Sequence, residues 1–345
     1  MSGPSTPSFP PASGRRMQWD EMPARVRSAI EDRLGSRVVS ARSQAGGFSP
    51  GVAARLQLAD GGRVFVKAVC GSSNPDSPAI HRREARVAAA LPSRVPAPAL
   101  RWLWDDGEWV VLAFDDIDGR APDLPWRAHE LERVLDALHE LATVLTPSPV
   151  PLEPASEWLA RLFGRWRRIA DSPDRNGPDG NGPDGHGPDE TGSIDEERLP
   201  IGIRNVLDDL VELESRWPES VRGDTLVHLD VRADNLLLTS DRVLVVDWPW
   251  AAVGAPWLDL VAMLPSVAMQ GGPQPDDVWR AHPLHRGVDD DRVDSFIAAL
   301  AGLFLHDSLL PPPPGIPTLR AFQAGQGEQA IAWLAHRRGW RGRFT

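Results

Sequence analysis

The order of apolar and polar positions divides the chain into a strand-rich first third and a helical remainder. Before residue 115, short apolar runs alternate with Gly- and Asp-rich turns and predict five strands. Tight turns such as Asp60-Gly61-Gly62 favour antiparallel hairpins. Apolar residues at helical spacing predict one helix from Glu21 to Leu34 and another, inside the strand-rich unit, from Ala79 to Leu91. The first third is therefore expected to be an antiparallel sheet with one internal helix.

Beyond residue 115 the apolar spacing is helical, and the polar stretch Asp115 to Gly119 is the expected crossover between two lobes. Residues 172–193 repeat a Gly-Pro-Asp pattern with no apolar side chain to bury, and they are predicted to be a flexible low-complexity insertion. The expected division is a disordered tail (1–18), an N-lobe (19–114) and a C-lobe (115–345). Helices of the C-lobe are predicted over residues 128–145, 156–169, 196–216, 257–269, 292–309 and 318–338.

Composition narrows the class of protein. The 345 residues are 41% hydrophobic, which is ordinary for a soluble globular chain, and the net charge of −11 argues against general nucleic-acid binding. No apolar run approaches the roughly 20 residues that cross a bilayer. A single cysteine, Cys70, excludes an internal disulfide and fits a reducing compartment. We therefore expect a cytoplasmic protein without nucleic-acid or membrane partners, and the sequence does not indicate its oligomeric state.

Lysine usage singles out one position. Of 37 basic residues, only Lys67 is a lysine, and it ends the apolar run that begins at Val64. An ammonium is a compact point charge for phosphate oxygens, whereas a guanidinium is a planar fork of different reach. Chance is the alternative, since some basic residue had to be the lysine. We interpret Lys67 as a nucleotide-phosphate ligand.

The stretch from His228 to Asp247 carries the strongest candidate chemistry. It predicts a polar loop and two short apolar strands joined by a tight turn, so that Asp230, Asn235 and Asp247 meet at one end of a hairpin. A carboxylate that can hold a hydroxyl, with an amide and a second carboxylate that can hold Mg²⁺, are the groups that phosphoryl transfer needs. We assign Asp230 as catalytic and Asn235 and Asp247 as metal ligands.

Two neighbours in this stretch receive structural roles. His228 is interpreted as a hydrogen-bonded scaffold residue rather than a proton shuttle. Asp234 is expected to point away from the site, as a solvated acid or local cap, because neighbours in an extended segment alternate faces.

Two further signals lie upstream. Gly46 and Gly47 fall between two predicted strands, where glycines let backbone N–H groups approach phosphate oxygens, although such a loop is more often only a turn. Glu84, on the helix after Lys67, could orient the ammonium toward the phosphates of a nucleotide. A solvated helix charge is the equal alternative for Glu84.

The acceptor is expected to bind the helical C-lobe. Six aspartates between residues 271 and 296 could form an acidic rim for a polyamine: 276, 277, 289, 290, 291 and 294. The preferred interpretation is simpler, because the run Asp289 to Asp291 fits the first turn of a helix, where the helix dipole stabilises carboxylates.

These motifs together resemble the aminoglycoside phosphotransferase family, a branch of the protein-kinase-like fold. The resemblance rests on His228-x-Asp230 with Asn235 five residues on, on Asp247 at the next strand end, and on the run Gly254 to Leu260. It extends from about residue 38 to residue 338, which is most of the chain.

The resemblance implies an α+β fold of two lobes, a small antiparallel N-lobe with one helix and a larger, mainly helical C-lobe. It implies ATP bound between the lobes, with adenine hydrogen-bonded to the linker backbone from Ala113 to Asp115. It also implies that Asp259 braces the catalytic loop through backbone N–H groups, whereas on its own Asp259 would be an acid at a helix N-terminus.

Two departures from protein kinases point to a small substrate. Asp247-Trp248-Pro249 replaces Asp-Phe-Gly, and Leu229 replaces the arginine of His-Arg-Asp, so regulation by an activation-loop phosphate is not expected. The leading hypothesis is an ATP- and Mg²⁺-dependent phosphotransferase that moves the γ-phosphate to a hydroxyl of a small molecule, such as an aminoglycoside or another amino-alcohol. The rival hypothesis is a nucleotide-binding pseudokinase with a regulatory role, against which intact Lys67 and Asp230 argue.

Overall fold

The N-lobe is a five-stranded antiparallel sheet with two helices. A computed structural model of the protein describes residues 16–44, 51–72, 74–171, 199, 202–313 and 316–343. The strand order is β1-β2-β3-β5-β4, which confirms the predicted antiparallel unit. In chain order the elements of this lobe are α1 (Ala24–Leu34), β1 (Val38–Ser43), β2 (Val52–Leu58), β3 (Arg63–Cys70), α2 (Ser77–Ala90), β4 (Leu100–Asp105) and β5 (Trp109–Asp115).

Each face of the sheet carries one helix. Helix α1 buries Val26 and Ile30 in an apolar cluster with Val66 and Ala68 of β3. Helix α2 covers the other face, where its Ala85 packs with residues of β5. Because successive side chains on a strand point to opposite faces, Lys67 projects from β3 toward the face that carries α2.

The C-lobe is mainly helical and encloses one large apolar core that includes the fully buried Trp166, Trp257 and Trp279. With the sheet of the N-lobe it confirms the predicted α+β class. Its elements are α3 (Ala128–Val144), α4 (Ala155–Trp158), α5 (Arg165–Ala170), α6 (Leu207–Ser215), α7 (Trp217–Ser220), β6 (Thr225–Val227), β7 (Leu236–Leu238), β8 (Val243–Val245), β9 (Ala252–Gly254), α8 (Leu258–Met269), α9 (Pro275–Ala281), α10 (Asp290–Ser308) and α11 (Leu319–Arg337).

Three helical segments differ from the prediction. The helix expected over 156–169 is broken, because Gly164 has a left-handed φ of 86° between a 3-10 turn and α5. Within the helix expected over 196–216, the described residues form a 3-10 turn at Ile203–Val206 and then α6, while residues 196–198, 200 and 201 lie outside the described part of the chain. Helix α9 was not expected, although Pro275 at its first position and acids in its first turn are ordinary start signals.

Two small ladders organise the chain around the segment from His228 to Asp247. Strands β7 and β8 form the predicted hairpin, with Leu236 opposite Val245. Strands β6 and β9 pair as well, although the sequence did not indicate them. Because β6 ends directly before His228 and β9 leads into α8, this second ladder places the start of α8 beside the loop that begins at His228.

Parts of the expected organisation lie outside the described residues. These are residues 1–15 of the predicted tail and the whole predicted insertion, 172–193. Of the remaining tail residues, Met17 packs against the apolar cluster of the N-lobe, and the Gln18 amide donates to Glu21 at 2.7 Å. Across the described part of the chain, every helix is too short or too polar to span a membrane.

Candidate active site

A cavity of about 590 Å³ lies between the sheet of the N-lobe and the β7–β8 hairpin. Lys67 and Glu84 line it from the N-lobe, Asn235 and Asp247 line it from the C-lobe, and Asp115 lies at the linker between them. The fold therefore brings these predicted site residues to one cleft between the lobes.

Lys67 is the centre of an ion-pair cluster. Its Nζ lies 2.6 Å from Oε1 of Glu84 and 2.7 Å from Oδ1 of Asp247. Burial acts to lower the pKa of Lys67, but the two carboxylates outweigh it and raise that pKa above its ordinary value. Burial would likewise raise the pKa of Asp247, yet Lys67 holds it well below the usual range. Lys67 and Asp247 are therefore both charged at neutral pH.

Glu84 is an interior residue. Its side chain is 3% exposed, so a solvated helix charge does not describe it. Burial raises the pKa of its carboxyl to about 7, and Lys67 opposes that rise. Glu84 reaches Lys67 because α2 lies against the face of the sheet to which that side chain projects.

Asp230 lies at the end of a polar network. Its Oδ1 accepts a hydrogen bond from Arg232, and its Oδ2 accepts one from Nδ2 of Asn235 at 3.0 Å. The same amide nitrogen also donates to the Asp230 carbonyl at 2.8 Å. Burial raises the pKa of Asp230 to about 7, although Arg232 opposes the rise. A carboxyl with this pKa can exchange a proton near neutral pH, as general-base catalysis requires.

Arg232 is a site residue that the sequence interpretation missed. Its Nε and Nη2 each lie 3.0 Å from an oxygen of Asp234, while Nη1 donates to Asp230. Burial acts to lower the pKa of Arg232, but the two aspartates raise it above its ordinary value. The sequence signal that could have identified Arg232 was its place between two acids, Asp230 and Asp234, each two residues away.

Asp234 does not point away from the site, contrary to expectation. Residues Ala233–Asn235 form a 3-10 turn instead of an extended segment, so neighbouring side chains do not alternate between faces. Asp234 consequently lines the cavity beside Asn235.

His228 and Asp259 hold the loop that carries Asp230. Both oxygens of Asp259, in the first turn of α8, accept backbone amides: His228 N–H at 2.9 Å and Leu229 N–H at 2.7 Å. Leu229 has a φ of 63°, a conformation that costs energy for a branched residue, and these bonds support it. Burial raises the pKa of Asp259 to about 6.

The hydrogen bonds of His228 define its protonation. Its Nδ1 accepts the Asp230 amide at 3.2 Å, so the ring proton is on Nε2, which donates to the Val246 carbonyl at 3.0 Å. Burial lowers the pKa of His228 to about 4, so the neutral ring is retained. Both ring nitrogens serve the backbone, which fits a scaffold residue.

Asn235 and Asp247 have the donor chemistry of a magnesium site. Nδ2 of Asn235 is used by Asp230, which leaves its amide oxygen as a ligand, and Asp247 retains 40% exposure of its side chain. Nowhere in the described ranges do three or more His, Cys, Asp or Glu side chains form a metal-binding group. An amide oxygen and one carboxylate suit Mg²⁺, which takes its remaining ligands from water and substrate phosphates.

The structure describes the linker residues expected to contact adenine, but not the glycines expected to contact phosphate. Ala113 lies in the interior strand β5, which pairs with β3 on one side and β4 on the other, and the Asp115 backbone amide donates to the Ala99 carbonyl at 3.0 Å. Gly46 and Gly47 lie outside the described residues. Gly51, at the end of that loop, packs so closely that an added Cβ would lie 2.3 Å from the Ala68 carbonyl oxygen.

Arg16 is a second cavity residue that the sequence interpretation missed. Its side chain lines the space that holds Lys67, and Asp247 and Asp234 act on its charge. The segment is anchored through Gln18, which accepts from the Ser43 hydroxyl at 2.6 Å and donates to the Arg16 carbonyl at 3.3 Å. Nothing in the sequence distinguished this arginine from the others.

The acidic segment of the C-lobe is mostly committed to internal contacts. Asp289 caps α10 by accepting the Asp291 amide at 2.8 Å, as the helix-start interpretation predicted. Four of the six aspartates form ion pairs with arginines of α9 and the end of α11: 276, 290, 291 and 294. A free acidic rim is therefore not what this segment provides.

Solved structures of small-molecule kinases share the fold. An aminoglycoside phosphotransferase, APH(4)-Ia, in a ternary complex with AMP-PNP and hygromycin B, superimposes with a TM-score of 0.56 at 13% identity over 90% of this chain and 99% of that one. A choline/ethanolamine kinase family protein from Mesorhizobium loti gives a TM-score of 0.58 at 17% identity over 95% and 98%. A putative fructosamine-3-kinase from Haemophilus somnus gives 0.51 at 11% identity over 88% and 96%. These likenesses confirm the predicted two-lobed, protein-kinase-like fold.

Sequence comparison gives the family. No curated protein is recognisably similar to the chain in sequence. The model of the phosphotransferase enzyme family APH matches residues 45–296, a span that includes Lys67, Glu84, Asp230, Asn235 and Asp247. The prediction of a phosphotransferase that resembles the aminoglycoside enzymes is thereby confirmed, and the chain belongs to the APH phosphotransferase enzyme family.

Proposed function

We propose that the protein transfers the γ-phosphate of ATP, with Mg²⁺, to a hydroxyl group of a small molecule. The observation that carries this proposal is the bridge from Glu84 through Lys67 to Asp247 across the cavity. A lone ammonium held between two carboxylates is a fixed positive charge at the position where phosphate oxygens would lie.

Each residue then has a role in positioning or charge stabilisation. Asp230, with its pKa near 7, orients the acceptor hydroxyl and takes its proton. Asn235 and Asp247 would hold Mg²⁺, which neutralises charge on the phosphates when bound. Lys67 contacts the phosphates, and Arg16 adds a second positive charge at the same end of the cavity.

The base would occupy the apolar part of the cavity. Ala53 and Phe65 line this part from the N-lobe, and Leu237 lines it from the C-lobe. Apolar side chains on two sides suit a flat aromatic ring. Because the Asp115 amide already has a partner, we propose that the linker presents the Asp115 carbonyl and the Ile117 amide to adenine. The complexes of APH(4)-Ia with AMP-PNP and with ADP support nucleotide use by this fold.

A small alcohol is the acceptor class that fits best. The ion pairs of the acidic segment remove most of the negative charge that a polycation would need. We therefore propose an acceptor with no more than one or two amines, an amino-alcohol in preference to a highly charged aminoglycoside.

The test is product detection with a matched pair of variants. Protein, ATP and Mg²⁺ are incubated with a panel of amino-alcohols, aminoglycosides and uncharged alcohols, and phosphorylated products are sought by mass spectrometry. We expect a product that wild type and Asp241→Asn both form and that Asp230→Asn does not. Asp241 is the control because it lies in the exposed turn of the same hairpin. Failure of every acceptor, with no ADP formed above the Asp230→Asn background, would overturn the proposal.

A further inference from the structure

Arg83, the neighbour of Glu84 on α2, links the N-lobe to the C-lobe. Its Nε donates to the Pro249 carbonyl at 2.7 Å and its Nη2 donates to the Ala251 carbonyl at 2.6 Å. Its Nη1 donates to both oxygens of Glu153, at 2.9 and 3.1 Å. One guanidinium therefore engages three separate groups of the C-lobe.

The side chain is also packed. Its Cζ lies 3.8 Å from the centroid of the Trp158 ring, a close stacking distance, and only 12% of the side chain is exposed. A planar guanidinium that is stacked and hydrogen-bonded through all three nitrogens has one orientation, which lysine could not reproduce. Arg83 therefore forms a mostly buried, fixed contact between the lobes and not a surface ion pair.

The anchors of Arg83 follow Asp247 closely in the chain. Pro249 and Ala251 come two and four residues after Asp247, whose carboxylate contacts Lys67. Consecutive residues on a helix point in directions about 100° apart, so Glu84 faces the cavity while Arg83 faces the C-lobe. Fixing Arg83 to the segment after Asp247 therefore fixes the rotation of α2 that puts Glu84 on Lys67.

We propose that Arg83 is a positioning residue that keeps α2 in the orientation required for the Lys67–Glu84 pair. The inference rests on the proposed function, because that pair is taken to orient the phosphates. It follows that a contact within the chain supports the pair. Val87 of α2 packs in the C-lobe core and supports the same orientation through an apolar contact.

The chain offers a matched control one residue away. Arg82 pairs with Asp105 at 2.6 Å on the exposed side of α2, and both side chains are solvent-accessible. Arg82→Gln and Arg83→Gln make the same chemical change on the same helix. We expect Arg83→Gln to lower kcat about 10²-fold, since a displacement of about 1 Å in a positioning group has effects of that size. Arg82→Gln should leave kcat within about twofold of wild type.

Two further measurements separate positioning from loss of stability. Hydrogen exchange followed by mass spectrometry should show lost protection in residues 77–90 for Arg83→Gln and not for Arg82→Gln, with protection of α10 unchanged in both. In a double-mutant cycle with Glu84→Gln, the added Arg83→Gln change should lower kcat little further, because both act through one pair.

Each result decides the matter. Unchanged exchange in α2, or losses in kcat that multiply fully in the double variant, would overturn the role of Arg83. A wild-type protein that transfers no phosphate would overturn the proposed function alone, because the exchange measurement needs no substrate.

Discussion

Replacement of Asp230 by asparagine, which the proposed function expects to abolish transfer, should make the protein increasingly stable relative to wild type as the pH rises. The folded protein raises the pKa of this carboxyl from 3.8 to about 7, chiefly through burial. A raised pKa means that the folded state binds the proton more tightly than the unfolded chain does. Folding stability that depends on Asp230 is therefore complete below pH 4 and is lost as the pH rises to about 7. Asparagine is neutral throughout and escapes this loss.

The size of the effect follows from the same shift. One pKa unit corresponds to about 1.4 kcal/mol, so a rise to pKa about 7 sets an upper limit of about 4 kcal/mol. The Asp230 side chain is 22% exposed, and solvent screening reduces the value. We expect the free energy of unfolding of Asp230→Asn, relative to wild type, to increase by about 2 kcal/mol between pH 4 and pH 8.

The assay is urea unfolding of wild type and variant at intervals from pH 4 to pH 8, with the difference between them plotted against pH. Subtraction removes the titration of other groups such as Asp259, provided the slopes with urea agree. Asp241→Asn is the control, because the Thr239 hydroxyl lowers the pKa of Asp241. The difference in the free energy of unfolding between Asp241→Asn and wild type must therefore not increase from pH 4 to pH 8. If the difference in the free energy of unfolding between Asp230→Asn and wild type does not change with pH, the pKa of the Asp230 carboxyl is not raised. The argument for a general base near neutral pH would then fail.

Four other changes test the site and its supports. Lys67→Arg should lower kcat at least about 10²-fold without loss of charge, because a fork cannot replace the ammonium between two carboxylates; activity near wild type would contradict this. Asp259→Asn should destabilise the protein by about 1–3 kcal/mol, since its NH₂ group must face an amide donor, and thermal unfolding would measure the loss. Arg337→Leu should cost about 3 kcal/mol in urea unfolding, because Asp276 and Asp294 lose a partner that is 2% exposed. Removal of Mg²⁺ with EDTA should weaken ATP binding at least about tenfold in calorimetry, and equal affinity would refute the metal assignment.

The residues that sequence interpretation found share a local signature. Asp230, Asn235 and Asp247 are spaced by one loop and one hairpin, and the hairpin follows from two short apolar runs joined by a tight turn. Lys67 was recognisable because lysine occurs once in the chain. Their convergence was predictable because two short-range patterns each specified one wall of the cavity.

The residues that it missed depend on long-range packing. Arg83 meets Glu153 and Pro249, which lie 70 and 166 positions away in the chain, and no periodicity connects such distances. Almost every basic residue in this chain is an arginine, so residue type alone does not single out any one arginine as functional. The rotation of α2 about its own axis decides which of its charges faces the cavity, and that rotation is set by tertiary contacts.

The division of work between lysine and arginine has a physical reason. Arg83 and Arg337 each satisfy several fixed acceptors in one plane, a task for which a rigid fork loses little conformational freedom. Under the proposed function Lys67 has a different task, because its partners would then include phosphate oxygens that arrive and leave with each turnover. An ammonium carries its charge on one rotatable centre and can share it between Glu84, Asp247 and an incoming oxygen without a change of plane. A chain that uses arginine almost everywhere would therefore retain lysine at the one position where the charge must be shared.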